Sequence, residues 1–255
     1  DSQWEQLNSY LESIYCGRGR RLSPRTRSLW NGLMYVLRSG CSWRMLPDNF
    51  PCWQAVYSYF RRLKNKGHLE VIMHKIIGDV RCLSDRERSP SIGIVDSQSV
   101  KSRSGKKIGK GYEGYKKVNG RKRHIVVDTL GLILSVHVGA ANEQDRDTLG
   151  ILCRKMKDFH PRMERLFADS GYEGRQNQTV LNYGWWLSIA KRPHKKKGEK
   201  GVFKVISKRW VVERTFAWLG NFRRLSVDRE VNPKTSEAFI IISNIAIALR
   251  KGWKN

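Results

Sequence analysis

Long hydrophobic runs are absent from this 255-residue sequence. No apolar stretch reaches the roughly 18 residues that a membrane-spanning helix needs, and no signal peptide is recognisable. A long, clean basic amphipathic helix is also missing, which argues against an anionic membrane surface as the partner. With 40% hydrophobic residues and nine Trp the chain can still bury a real core. We therefore expect a globular, cytoplasmic protein with no membrane partner.

Closely paired cysteines are missing as well. The five cysteines lie far apart and none belongs to a CxxC pair. This pattern argues against a disulfide framework and against a structural zinc site. It indicates reduced thiols in a cytoplasmic type of compartment.

Acidic residues are scarce. The chain has 23 Asp and Glu against 49 Lys and Arg, which gives a formal net charge of +26. A chain this basic repels itself unless it meets a polyanion, and the usual polyanion is nucleic acid. The composition therefore predicts a nucleic-acid partner and a nucleoid-associated location.

Apolar residues recur at helical spacing through the first part of the chain. The stretch 30–37 places them at positions i, i+3, i+4 and i+7, and the stretches 53–60 and 69–76 repeat this spacing. Gly40 is expected to end the helix that contains 30–37. These patterns predict an all-α region over residues 1–85.

Basic residues cluster at the end of the third predicted helix. Together with the global charge they favour a helix-turn-helix-like DNA-binding domain in residues 1–85. A helical bundle with a solvated basic face is the alternative, because periodicity alone does not separate the two. The residues expected to contact DNA here are Arg61, Arg62 and Lys64.

The pattern changes from residue 90 onward. A strand is predicted at 92–97, then a loop rich in Gly and Lys, then two strands that form a hairpin around Gly131. Helices and short strands alternate from there to two final helices at about 206–220 and 233–251. This order predicts an α/β domain over residues 90–255, with a mixed sheet flanked by helices.

Two basic segments in this second region are suited to phosphate contacts. The first runs from Lys101 to Arg123 and holds ten Lys or Arg, a single acid and two interleaved tyrosines, and the second is KRPHKKKGEK at 191–200. For the first segment, a solvated surface loop is the alternative. The residues expected to contact DNA are Lys106, Lys107, Lys110, Lys116, Lys117, Arg121, Lys122, Arg123, Lys191, Arg192, Lys195, Lys196 and Lys197.

Two aspartates follow apolar strands. Asp96 comes directly after Val95 in IGIVDSQSV, and Asp169 ends the run LFAD. Functional side chains of open α/β sheets collect at the carboxyl ends of strands, so we expect the two acids to face each other. Their repulsion raises one pKa unless a cation lies between them. For either acid alone, an ordinary turn aspartate is the alternative.

Glu213 is the third candidate acid. It lies at the edge of the apolar stripe of a predicted helix rich in tryptophan, one turn after Arg209. A surface pair with Arg209, contributing about a few tenths of a kcal/mol, is the alternative. Two Asp and one Glu without a Cys or His cluster favour Mg²⁺ or Mn²⁺ over zinc. Such sites perform two-metal phosphoryl transfer with the ions about 3.5–4 Å apart.

Several segments then resemble a known family. IVDSQSV, KRHIVVDTLGLIL, LFADSGYEG and WVVERTFAWLGNFRRL are similar to the motif blocks of bacterial insertion-sequence DDE transposases, of the group named after insertion sequence five. The stretch LWNGLMYVLRSGCSWRMLPDNFPCWQAVYSYFRRL resembles the helical domain that precedes the catalytic domain in that group. The blocks occur in the family's order and span nearly the whole chain.

The resemblance implies a ribonuclease-H-like catalytic fold. Asp96, Asp169 and Glu213 would be its catalytic, metal-binding triad, with two Mg²⁺ or Mn²⁺ ions per site. The family's helix also carries an Arg before the Glu and a basic residue after it. Arg209 matches the first, and Arg223 or Arg224 is the choice for the second; all three are expected to contact DNA.

The activity that the resemblance implies is prokaryotic DNA transposition. The protein would bind the terminal inverted repeats of double-stranded DNA, cleave the ends and join the freed 3′-OH to target DNA, as a homodimer or larger assembly. Two rivals are a nuclease of the same fold that never joins ends, and a domesticated DNA-binding protein without catalysis.

Four spare carboxylates are Asp128, Glu143, Asp145 and Asp147, of which the last two are expected to cap a helix.

Overall fold

The structure of the chain, a computed structural model, covers most of the sequence in five stretches. The described residues are 2–15, 22–103, 108–174, 176–190 and 209–253, and within them lie nine α-helices and six β-strands. Some of the predicted DNA contacts lie outside the described residues, namely Lys106, Lys107, Lys191, Arg192, Lys195, Lys196 and Lys197.

The first region is helical, as predicted. Its helices are α1 (Ser2–Tyr15), α2 (Thr26–Ser39), α3 (Trp53–Asn65) and α4 (His68–Cys82). Apolar stripes of these helices are buried, because residues three and four positions apart share one helix face. Gly40 ends α2 with φ 70° and donates its N–H to the carbonyl of Val36, which confirms the predicted stop.

One six-stranded mixed sheet forms the second region. Its strands are β1 (Ile92–Lys101), β2 (Gly111–Glu113), β3 (Val118–Val127), β4 (Ile133–Ala140), β5 (Arg165–Ala168) and β6 (Trp186–Ile189). The strands are ordered β2-β3-β1-β5-β6, and β4 also pairs with β3. β3 pairs antiparallel with β1, β2 and β4, while β5 pairs parallel with β1 and β6. The β3–β4 hairpin around Gly131 and the mixed sheet are confirmed.

Helices cover both faces of this sheet. They are α5 (Asp145–Met156), α6 (Gln176–Leu181), α7 (Arg209–Gly220), α8 (Arg223–Ser226) and α9 (Pro233–Gly252). The side chain of Asn232 accepts a hydrogen bond from the N–H of Lys234, and Pro233 follows as the first helical residue, so α9 starts with a standard cap. Among the described helices, none is both long and apolar enough to cross a membrane.

The alternating side chains of β3 show which face of the sheet is covered by α5 and which by the segment that leads into α9. Lys122 reaches Asp145 at the start of α5, with Nζ 3.2 Å from Oδ1. Its neighbour Arg121 reaches Asp228, ahead of α9, with Nη1 3.1 Å from Oδ1. Successive side chains of a strand point to opposite faces. α5 therefore covers one face of the sheet, and the segment that leads into α9 covers the other.

The predicted basic loop after the first strand is largely wrong. β1 continues to Lys101 and β3 already begins at Val118, and the two pair without interruption from Ile94↔Val127 to Lys101↔Gly120. Charged residues resemble a loop in sequence, yet this antiparallel ladder satisfies their backbone groups within the sheet. The residues 121–123 are consequently buried strand residues.

The hydrophobic core runs through both regions without a break. Phe60 of α3 stacks on Phe239 of α9, with ring centroids 4.9 Å apart, and α4 packs along α9. The division into residues 1–85 and 90–255 stays a prediction from sequence, since the two parts share this core.

Candidate active site

Asp96 lies in the middle of β1 and not at its end, which corrects the sequence prediction. β1 pairs with β5 only from Ile92 to Ile94, so Asp96 stands just past the point where the parallel partner stops. The backbone N–H of Ser97 donates to its Oδ1 at 2.7 Å. Burial raises the pKa of Asp96 to about 6, against the lowering effects of Ser97 and of the nearby Arg209.

Asp169 directly follows Ala168, the last residue of β5. Its Oδ1 accepts the N–H of Gly171 at 2.9 Å and opens a one-turn 3-10 helix, Ser170–Tyr172. A Cβ added at Gly171 would lie 3.0 Å from that same oxygen, so the turn requires a very small residue. Asp169 is therefore a turn aspartate, but its second oxygen faces Arg209.

Arg209 and Glu213 sit one turn apart near the start of α7. Nε of Arg209 lies 3.4 Å from Oε1 of Glu213, so the simple pair along the helix exists. The same Nε lies 3.6 Å from Oδ2 of Asp96, and Nη2 lies 3.6 Å from Oδ2 of Asp169. All three predicted acids therefore converge on one guanidinium.

These contacts are ionic and not good hydrogen bonds. Nε of Arg209 is buried and has no hydrogen-bond partner among the described residues, and its distances exceed those of charge-assisted hydrogen bonds, which are about 2.7–2.9 Å. Among the described residues, one cation faces three carboxylates, so negative charge is in excess within this described group. The side chain of Glu213 is 59% exposed, which leaves the group open to solvent.

The residues present fit a hard divalent cation. All three converging side chains offer carboxylate oxygens, which are the donors that Mg²⁺ and Mn²⁺ prefer. Their convergence on a guanidinium shows that this position stabilises positive charge. Within the described residues, no group of three or more His, Cys, Asp or Glu is already arranged around an ion position; here Arg209 lies between the acids.

Asp145 supports the site from the opposite face of the sheet, a role that sequence analysis missed. Ser97 donates its hydroxyl to Oδ1 of Asp145 at 2.9 Å, and Lys122 lies 3.2 Å from the same oxygen. Ser97 is thereby held on both sides, because its N–H binds Asp96. Sequence analysis expected Asp145 to cap α5, yet Gln144 holds the cap position and the Asp145 side chain is used here.

Tyr172 is a second residue that sequence analysis missed. It is fully buried next to the acids. Burial raises its pKa well above the ordinary value, and the negative charges of Asp145, Asp96 and Asp169 add to this effect. Its phenol therefore stays neutral and fills the space behind the carboxylates. Sequence analysis gave it no role, although it lies within the motif block LFADSGYEG.

The other spare carboxylates lie in separate surroundings. Asp128 is wholly buried and lies 2.5 Å from Nη1 of Arg81, while Glu143 lies 3.3 Å from Nε2 of His137. Asp147 stands in the first turn of α5, where the helix dipole favours an acid. None of these three reaches Arg209 in the described part of the chain.

Four cations that were predicted to contact DNA are instead buried. Arg121 is paired with Asp228 and also donates to the carbonyls of Ile108 and Val231 at 2.6 Å. Arg224 is paired with Glu230 at 2.8 Å. The strand β3 and the helix α8 carry these cations inward, so their charges stabilise the fold. The buried set is Arg121, Lys122, Arg123 and Arg224.

The remaining described cations of that prediction are accessible. Lys64 is half-buried and donates to the hydroxyl of Thr235 at 3.3 Å, and Arg209 faces the acids. The others are exposed on α3, on both sides of β2 and on α8: Arg61, Arg62, Lys110, Lys116, Lys117 and Arg223.

The fold and the site together define the class: an α/β protein with a mixed sheet and three carboxylates converging beside its central strands. The model of the family described as "Transposase DDE domain" matches residues 87–249, well over half of the chain, and the chain belongs to this family. A second model, "Putative transposase of IS4/5 family", matches residues 1–73. The resemblance seen in the sequence is thereby confirmed.

The matches to individual proteins are weaker than the matches to the two family models. The chain is 34% identical over 129 residues to the "Putative transposase for insertion sequence element IS402" of Burkholderia cepacia, a match covering 48% of this chain and 59% of that protein. Two solved structures have weaker likeness. The piggyBac transposase synaptic complex with hairpin DNA has a TM-score of 0.39 at 11% identity, covering 77% of this chain and 49% of that one. The pre-cleavage Mos1 transpososome has a TM-score of 0.32 at 12% identity, covering 92% and 79%.

Proposed function

We propose that this chain is a DNA transposase. It binds the terminal inverted repeats of its element, cleaves the DNA ends and joins the 3′-OH to target DNA. One observation carries the proposal: Asp96, Asp169 and Glu213 each lie within 3.6 Å of the Arg209 guanidinium. Membership in the transposase DDE domain family supports it.

Two successive phosphoryl transfers make up the reaction. In the first, a water oxygen bonds to the phosphorus at the element's end, and the P–O3′ bond breaks to leave a free 3′-OH. In the second, that 3′-OH attacks a phosphorus of target DNA, a new P–O3′ bond forms, and the target strand's own 3′-oxygen leaves. Each step replaces one P–O bond with another, and no covalent bond to the protein is needed.

The chain's own residues prepare this chemistry. Asp96, Asp169 and Glu213 would hold divalent ions, Mg²⁺ or Mn²⁺, which when bound stabilise the attacking and leaving oxygens. Ser97 and Asp145 keep the Asp96 carboxylate oriented. Arg209 supplies a positive charge beside the reacting phosphate. A protein that joins two ends works on both at once, so we infer a homodimer or larger assembly on DNA in the nucleoid.

A strand-transfer assay tests the proposal. Pre-cut element ends and a plasmid target are incubated with the protein in Mg²⁺ and in EDTA, and joined products are counted. We expect joining in Mg²⁺ only, and its loss in Asp96→Asn, Asp169→Asn and Glu213→Gln with DNA binding retained. Cleavage of uncut ends without any joining would assign a nuclease, and binding without cleavage would assign a DNA-binding protein.

A further inference from the structure

A second cationic feature lies away from the three acids, where the first helices meet the last. Two adjoining cavities of about 270 and 430 Å³ open there. They share Arg38 of α2 and Ala246 and Arg250 of α9. We call the combined depression the α2–α9 groove.

The groove is cationic and aromatic. Arg27 and Lys251 line its two ends and add to the charges of Arg38 and Arg250, while no acidic residue is among the described side chains that line it. The aromatic walls are Trp4, Trp30 and Trp218. Four positive charges without a carboxylate among these lining residues create a strongly positive local field.

Two of these arginines hold no internal role in the fold. Arg38 and Arg250 are both exposed, and neither forms an ion pair with any described residue. This distinguishes them from Arg121 and Arg224, whose guanidinium groups are buried against Asp228 and Glu230. Exposed cations that pair with no described carboxylate are suited to an external anion.

The groove also connects to the candidate active site through α7. Trp218, one wall of the groove, lies five positions after Glu213 on that helix, a rise of about 7.5 Å. Arg214 stands between Trp210 and Trp218, with its guanidinium carbon 4.6 Å from each ring centroid.

We infer that the α2–α9 groove binds the phosphate backbone of double-stranded DNA through Arg38 and Arg250. This inference rests on the proposed function and names the surface by which the chain would hold its substrate. Guanidinium groups bind phosphate oxygens in a bidentate manner. The contact is independent of base sequence.

Fluorescence anisotropy with a labelled duplex of about three helical turns tests this inference, in EDTA so that no cleavage occurs. For Arg38→Gln/Arg250→Gln we expect about a tenfold loss of affinity, and a decrease of about two in the slope of log affinity against log salt, since each phosphate contact contributes about 0.9. The charge-retaining pair Arg38→Lys/Arg250→Lys should recover most of the slope. Arg154→Gln/Lys157→Gln, which removes two exposed cations from the end of α5, is the matched control.

The outcomes separate this inference from the proposed function. If the unmodified chain binds no duplex, both fail. If it binds, and the Arg38/Arg250 pair binds with the same affinity and salt slope as the control pair, the groove inference is wrong while the proposed function stands. Size-exclusion chromatography with light scattering tests whether a second copy of the chain occupies the groove instead. If the Arg38/Arg250 double variant forms a smaller assembly than the unmodified chain without DNA, the groove is a contact between copies and the inference is overturned.

Discussion

The guanidinium Nε of Arg209 lies 3.6 Å from Oδ2 of Asp96, although one residue starts α7 and the other lies inside β1. The same guanidinium also faces Asp169 and Glu213. One positive charge therefore compensates three negative ones, and the excess of negative charge favours a further cation at this position. The sheet and α7 meet where they do because of this charge arrangement as well as the apolar face of α7.

Arg209→Gln removes the compensating charge. In EDTA we expect the free energy of unfolding to fall by about 1 kcal/mol, a modest amount because Arg209 is partly exposed and its ion pairs are screened. Addition of Mg²⁺ should stabilise this variant more than the unmodified chain, since the acids then lack the one cation that faces them among the described residues. Urea unfolding with and without Mg²⁺ measures both effects. Arg154→Gln is the control, and an equal Mg²⁺ effect in all three proteins would contradict the prediction.

The convergence of the acids could be predicted from sequence because each acid has a local signal. Asp96 and Asp169 interrupt apolar strands, and Glu213 follows Arg209 at one helical turn. Apolar strand runs and helix faces are short-range patterns, and they also predicted the helices α2 to α4 and the β3–β4 hairpin correctly. Local patterns therefore identified most of the fold and the three acids.

The missed features depend on partners far along the chain. Arg121 is buried only because Asp228, 107 positions later, folds back onto it. Asp145 reaches Ser97 across 48 positions. A cation in a lysine-rich stretch resembles a surface residue in sequence, and no local pattern indicates that a distant carboxylate will compensate it. The same reason explains why β1 and β3 are longer than predicted.

Arg121→Gln tests the reassignment of this cation from DNA contact to fold. It removes the buried guanidinium that pairs with the carboxylate of Asp228, so we expect a loss of about 3–5 kcal/mol in the free energy of unfolding. Lys117→Gln changes an exposed cation of the same basic segment and should cost less than about 0.5 kcal/mol. Urea unfolding of both variants measures the difference. If the two variants have the same free energy of unfolding, the assignment of Arg121 as a buried cation that stabilises the fold is wrong.

Stability should decrease in mild acid because of two buried histidines. Burial lowers the pKa of His74 to about 3 and that of His160 to about 4, and the ring of His74 stacks on Phe159 with centroids 3.9 Å apart. Their unfolded pKa is near 6.5. The unfolded chain therefore binds more protons below that pH, and the stabilisation is intact above pH 6.5 and lost as the pH falls.

The expected slope is about 1.4 kcal/mol per pH unit for each histidine below about pH 6. Urea unfolding at about pH 7.5 and 5.5 measures it for the unmodified chain and for His74→Gln/His160→Gln. The double variant should lose less stability between the two pH values, whatever its stability at the higher one. A pH effect of the same size in both proteins would assign the acid sensitivity to other groups.

Asp145→Asn tests whether the acid behind β1 supports the candidate site. Ser97 donates its hydroxyl to Asp145 and its N–H to Asp96, so loss of the Asp145 charge loosens the residue that orients Asp96. Changes to groups that orient metal ligands typically cost about 10–100-fold in metal affinity or activity. We expect the Mg²⁺ concentration needed for half-maximal cleavage to rise at least about tenfold, with little change in duplex binding in EDTA. Asp147→Asn, two positions away in the same first turn but exposed, is the matched control. If both variants need the same Mg²⁺ as the unmodified chain, Asp145 serves the packing of α5 alone.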